Sequence, residues 1–143
     1  MKYLLDASAL VEIFLKIKAE KLISVLKECC ILDLTIYEFC NSLWKLAKIR
    51  KRISEETALM GAKLLEKIIS IGGLKVISGW SDLEEQMRKS LKHFVNAYDM
   101  AYINTTIEKN LILVTEDTGM YNNAKKVFKL EVKNTEELLK RST

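Results

Sequence analysis

Tyr3-Leu4-Leu5-Asp6-Ala7-Ser8-Ala9-Leu10 is the stretch that decides the reading of the fold. Three apolar residues stop at an acid and give way to small residues, as in a short buried strand that turns directly into a helix. The helix after Asp6 carries Leu10, Ile13, Phe14 and Ile17 at helical spacing. Strand then helix recurs along the chain. Cys30–Leu34, Leu74–Ile77 and Leu111–Val114 have the length and flanks of buried strands, and Val127–Val132 is a weaker fifth candidate. Helices are expected over Ala19–Leu26, after Thr35 (Phe39, Leu43, Leu46, Ala47) and after Ser54 (Leu64, Leu65, Ile68) as far as Gly72 and Gly73. Others are expected from Ser81 to about Lys92, from Asn96 to about Lys109, and from Asn134. This alternation predicts an α/β fold with a parallel sheet covered on both faces.

The 143 residues show no internal repeat, low-complexity tract or composition break, so a single domain over residues 1–143 is expected. With 49% hydrophobic and 29% charged residues, a mostly disordered chain is excluded. The net charge of +4 permits an anionic partner without demanding one. Cys29, Cys30 and Cys40 form no C-x-x-C pair and read as reduced, partly buried thiols. The lone histidine, His93, reads as a surface or helix-face residue; zinc ligands and a His-based triad are lacking. The N-terminal apolar run is too short for a signal peptide, and no segment approaches a membrane span. The reading is a soluble, cytoplasmic protein with no membrane partner.

Four acids carry the chemistry. Asp6 follows the first strand, Glu38 opens the helix after the second, Asp99 lies in the first turn of the helix from Asn96, and Asp117 follows Leu111–Val114. Ligands of open parallel sheets bind at the C-terminal edge of the strands, where these positions fall. Hard divalent cations prefer such oxygen ligands. A bound cation offsets the repulsion between carboxylates, activates water and stabilises charge on a phosphodiester under attack. Each acid also has a capping role open to it. Asp6 fits an N-cap, Thr35/Glu38 and Asn96/Asp99 have the capping-box offset, and Asp117 fits a cap at Thr118. The same offset recurs at Ser81/Glu84 and Asn134/Glu137, away from any such chemistry.

Four stretches together resemble the PIN domain family, and within it the small toxins of VapBC-type toxin–antitoxin pairs. They are YLLDASALVEIF with Asp6 and Ser8, LTIYEFCNSLWK with Glu38, NAYDMAYINTTIEKN with Asp99, Ala101 and Tyr102, and LILVTEDTGMYNNAKK with Thr115 and Asp117. No one of them is specific; the ordered set is. Met100 follows Asp99 where the family more often has a small residue. The resemblance implies a three-layer α/β/α sandwich with a central, mainly parallel sheet and a Mg²⁺- or Mn²⁺-dependent endoribonuclease. It also implies a homodimer and an antitoxin protein that blocks the site. Carried over, Asp6, Glu38, Asp99 and Asp117 are the catalytic, metal-binding acids, with Asp6 and Asp99 foremost. Ser8 and Thr115 become hydroxyls that orient carboxylates or water. Asn41, one helical turn beyond Glu38, faces the same cleft in this reading.

Lys45, Lys48, Arg50 and Arg52 form the densest basic tract, with Lys125, Lys126 and Lys129 a second. Both are RNA-contact candidates, although basic residues also favour helix C-termini and solvent. Helix rise puts Arg52 roughly 20 Å from Glu38, within reach of flanking RNA only. The first helix is apolar over more than one face, which suits a dimer seam or a groove for a partner helix. Trp44 and Trp80 are expected in the core or at its edge. A phosphoacceptor receiver domain is disfavoured by the lone acid after the first strand, and a haloacid-dehalogenase-like phosphatase by Ser8 in place of a second Asp. A non-catalytic PIN-fold RNA- or protein-binding module and a PIN nuclease in RNA processing without an antitoxin remain as alternatives.

Overall fold

The structure, a computed structural model, describes residues 1–140. Five strands form one sheet: β1 (Tyr3–Leu5), β2 (Cys29–Leu32), β3 (Lys75–Ile77), β4 (Ile112–Val114) and β5 (Val132–Lys133). Their order is β3-β2-β1-β4-β5, and every neighbouring pair is parallel. β1 is central, with Tyr3 opposite Cys29 on one side and Ile112 on the other. All C-terminal strand ends therefore lie along one edge.

Alternate residues of these strands enter two separate cores, as pleating requires. Tyr3, Leu5, Cys29, Ile31, Ile112 and Val114 pack on one face against α1 (Ala7–Lys16), α2 (Ala19–Leu26), α3 (Asp33–Trp44) and α4 (Glu55–Ser70). Leu4, Cys30, Leu32 and Leu113 pack on the other against α6 (Ala97–Lys109) and α7 (Thr118–Asn122). α5 (Leu83–His93) lies beside α6, and α8 (Thr135–Leu139) adds Leu138 to the first core. This is the three-layer α/β/α arrangement expected.

Local chemistry moved several boundaries. β2 ends at Leu32 instead of Leu34, because Thr35 Oγ1 accepts the Leu32 N–H at 3.0 Å and the helix begins at Asp33. Thr35 is thus inside the first turn, and Thr35/Glu38 is not a capping box. The cap of α5 is Asp82, whose carboxylate accepts from Glu85 N; Ser81 instead donates to Glu108. Most of Val127–Val132 is not strand. A π-helical turn, Asn123–Val127, continues α7 and buries Ala124, Lys129 takes a positive φ, and β5 starts only at Val132. Gly72, at φ +78°, closes α4 in the backbone region glycine adopts without strain.

Trp44 and Trp80 are 53% and 64% exposed, against expectation. Trp44 sits at the end of α3 over a shallow hollow shared with α4, and Trp80 lies in the connection from β3 to α5. His93 ends α5 half-buried, edge-on to Phe128 at 4.8 Å between ring centres. No helix among the described residues is long and apolar enough to cross a membrane.

Candidate acidic site

Asp6 leaves β1 in extended conformation, its N–H still paired with Val114 O at 3.2 Å. Its Oδ1 accepts from Ala9 N at 2.9 Å, capping α1, and from Ser8 Oγ at 2.7 Å. Its Oδ2 accepts a short hydrogen bond from Thr115 Oγ1, at the end of β4. The residue is only 4% exposed. Burial, opposed by these three hydrogen bonds and reinforced by the charge of Asp117, lifts its carboxyl from 3.8 to about 6.

The two hydroxyls that hold Asp6 also order the next loop. Ser8 Oγ accepts from Glu116 N at 2.9 Å, and Thr115 Oγ1 accepts from Asp117 N at 3.0 Å. Asp117 then caps α7 through Met120 N at 2.9 Å while remaining exposed. Ser8 and Thr115 thus both donate to the Asp6 carboxylate and accept from the loop that carries Asp117.

Glu38 and Asp99 come from helices on opposite faces of the sheet. Glu38 is in the second turn of α3, and its Oε1 accepts from Tyr102 Oη at 2.6 Å. Tyr102 also meets Thr35 Oγ1 at 2.7 Å. Burial and the neighbouring Glu38 hold the Tyr102 hydroxyl far above its ordinary range, so it stays a neutral donor. Asp99 is in the first turn of α6, whose cap Asn96 accepts from Asp99 N at 2.9 Å. Because α6 runs straight into β4, its N-terminus lies at the C-terminal sheet edge. Burial and then the charges of Asp117 and Glu38 push the Asp99 carboxyl up. The four acids therefore fall along one edge and act on one another electrostatically.

Two participants escaped the sequence reading. Tyr102 stands in a quoted stretch, but its contact with Glu38 needed the packing of α6 on α3; a buried tyrosine one turn after Asp99 was the available signal, since buried tyrosine hydroxyls seek partners. Glu116 accepts from Thr135 N at 2.9 Å, tying the Asp117 loop to α8. Other candidates lie further out. Asn41 is exposed on α3. The tract Lys45–Arg52 does not continue an α-helix: a π-helical turn spans Lys45–Ile49, Lys48 pairs closely with Glu55, and Arg52 is beyond the helix. Lys125 lies 5.4 Å from the Tyr121 ring centre, and Lys126 and Lys129 are exposed.

Among the described residues, no three His, Cys, Asp or Glu side chains close on a single point as a ready-made cage. The donor chemistry nonetheless fits a hard cation. Every donor is a carboxylate or hydroxyl oxygen, and two of the acids are held at raised pKa by burial and by the charges of neighbouring acids. A cation relieves both penalties.

Residues 3–126 match the PIN domain family model, and the chain belongs to that family. It is similar to two proteins of Pyrobaculum aerophilum. Ribonuclease VapC3 is 35% identical over 108 residues, covering 72% of this chain and 79% of the relative. Exonuclease VapC9 is 32% identical over 131 residues, 92% of each. The crystal structure of PAE2754 from the same organism superposes with a TM-score of 0.76 at 30% identity, covering 99% of this chain and 88% of that one.

Proposed function

We propose that this chain is a Mg²⁺- or Mn²⁺-dependent endoribonuclease that hydrolyses RNA phosphodiester bonds through Asp6, Glu38, Asp99 and Asp117, and that it is the toxin of a type II toxin–antitoxin pair. The observation that carries the reading is the alignment of these four acids on one sheet edge, with Asp6 buried and held by three hydrogen bonds. The names of its relatives, a ribonuclease and an exonuclease, support the nuclease class. When bound, a divalent cation supplies an activated water and neutralises charge on the phosphate. The chain's own part is to hold the acids. Ser8 and Thr115 fix the plane of the Asp6 carboxylate, and Asn96 and the first turn of α6 set Asp99.

Two surfaces support the assembly part of the proposal. Phe14, Ile17, Leu43, Met60 and Leu64 line an apolar groove of about 560 Å³ between α1 and α4, suited to a helix from an antitoxin. Met87, Leu91 and Phe94 line an exposed apolar hollow at the turn into α6, suited to a homodimer seam. Phe94 is 98% exposed in a left-handed backbone conformation.

Cleavage of linear and circular RNA by wild type, Asp6→Asn and Asp99→Asn, in Mn²⁺, Mg²⁺ and EDTA, tests the reading. Metal-dependent cutting of the circle, lost in both variants, is the expected result. Digestion of linear RNA alone would favour the exonuclease mode named for the relative. No cutting by folded wild type would move the assignment to a binding module.

A further inference from the structure

We propose that Tyr102 is a positioning residue of the acidic site: its hydroxyl ties the Glu38 carboxylate on α3 to the helix that carries Asp99, and so sets this pair of acids for a divalent cation. The proposal rests on the metal-nuclease reading above. Chemistry fixes the direction of each hydrogen bond in the contact. Leu32 N–H can only donate, and it donates to Thr35 Oγ1 at 3.0 Å. Tyr102 has one hydroxyl proton, which goes to Glu38 Oε1 at 2.6 Å. The 2.7 Å contact between Thr35 and Tyr102 therefore runs from the Thr35 hydroxyl to Tyr102 Oη. A one-way relay results, from the end of β2 through Thr35 and Tyr102 to Glu38, with every proton assigned.

The relay opposes a definite force. Glu38 is half-buried and stands within electrostatic reach of Asp99. Repulsion and side-chain entropy both favour a glutamate that swings into water. Tyr102 is 1% exposed, so it cannot follow. Its position one turn after Asp99 places the anchor of one acid on the helix that bears the other. One oxygen of Glu38 is thereby fixed, and the other is left for a cation.

Calorimetric Mn²⁺ binding to wild type, Tyr102→Phe, Glu38→Gln and the double variant, near neutral pH, tests this. Tyr102→Phe removes one oxygen and keeps the ring. It is expected to weaken Mn²⁺ binding about 10-fold or more, the usual range for loss of a group that orients a ligand. The double variant is expected to bind no more weakly than Glu38→Gln alone, because Tyr102 acts through Glu38. A merely structural tyrosine would lower the melting temperature in EDTA and leave the Mn²⁺ affinity of the folded protein unchanged. Thr35→Val breaks the relay one link earlier and is expected to weaken Mn²⁺ binding, whereas Thr35→Ser keeps the hydroxyl and wild-type affinity. That pair carries the test if Tyr102→Phe does not fold. Unchanged affinity in Tyr102→Phe, losses that add in the double variant, or equal affinity of the two Thr35 variants overturns the proposal and leaves the nuclease reading intact. A wild type that neither binds Mn²⁺ nor cleaves RNA overturns both.

Discussion

Replacing Asp6 by Asn is expected to stabilise the metal-free protein at neutral pH, and to do so in a pH-dependent way. The carboxyl is lifted from 3.8 to about 6, mainly by burial. Between these values the folded state holds a proton that the unfolded state has released. Stability therefore falls as pH rises through this window, and the whole loss is present above the folded value. A shift of this size corresponds to about 3 kcal/mol of destabilisation at neutral pH. The substituted asparagine carries no charge to desolvate. Its oxygen retains the bonds from Ala9 and Ser8, but its amide turns a donor toward Thr115, whose hydroxyl proton must find a new acceptor. That mismatch costs about 1–2 kcal/mol at every pH. Chemical denaturation in EDTA, at steps from about pH 4 to pH 7, would measure the difference between variant and wild type. The variant should gain about 2–3 kcal/mol on wild type across that range. With saturating Mn²⁺ the order should reverse, since only wild type gains binding energy. A difference that stays flat with pH would refute the premise that Asp6 is a charge held in a desolvated site.

Ser8→Ala removes one donor from the buried Asp6 carboxylate and leaves the exposed Glu116 N–H to water, so a loss of about 1–3 kcal/mol in thermal or denaturant unfolding is expected, chiefly from the lost bond to the charged group. Lys48→Ala should change stability by less than about 1 kcal/mol, because its pairing with Glu55 is solvent-exposed. Lys125→Ala combined with Lys126→Ala should weaken RNA binding in a filter or anisotropy assay and flatten its salt dependence by about one unit per lost phosphate contact. Burial lifts the Cys29 and Cys30 thiols to about 12 and 11, while Cys40 is exposed. A thiol-reactive chromophore should therefore titrate one cysteine in the native protein and three after denaturation.

The layers and the placement of the acids along the sheet edge were legible because each rests on a short-range pattern. Tyr3–Leu5 ending in Asp6 needs no partner to be recognised, and neither do Ser54 before its helix or Gly72 after it. What failed was chemistry one residue off or one element away. Thr35 and Asp33 both precede an apolar helix, and only the Leu32 amide, fixed in the sheet, decides that Thr35 sits inside the first turn. Ser81 and Asp82 are equal candidates for a cap until Glu108, on α6, takes the serine. Val127–Val132 has the composition of a strand, but Ala124 is buried with Met120 and draws the chain into a helical turn first. Tyr102 is the extreme case, since its meaning depends wholly on a helix from the other face of the sheet.

Capping and cation binding, weighed against each other from sequence, need not compete, because the hydrogen bonds to these acids occupy only part of their acceptor capacity. An ionised carboxylate offers about four acceptor positions. Asp6 spends three, on Ala9, Ser8 and Thr115, which leaves one. Asp117 gives Oδ1 to the Met120 amide, and Glu38 gives Oε1 to Tyr102. Asp6, Asp117 and Glu38 are thus each held by hydrogen bonds while keeping acceptor capacity. Such acids favour single-oxygen contacts over chelation. That suits a cation which keeps several of its waters, as Mg²⁺ does, better than one that demands a full protein cage. The hydrogen bonds to Asp6, Asp117 and Glu38 therefore serve the proposed site: they limit the rotational freedom that these repelling carboxylates would otherwise use to move apart.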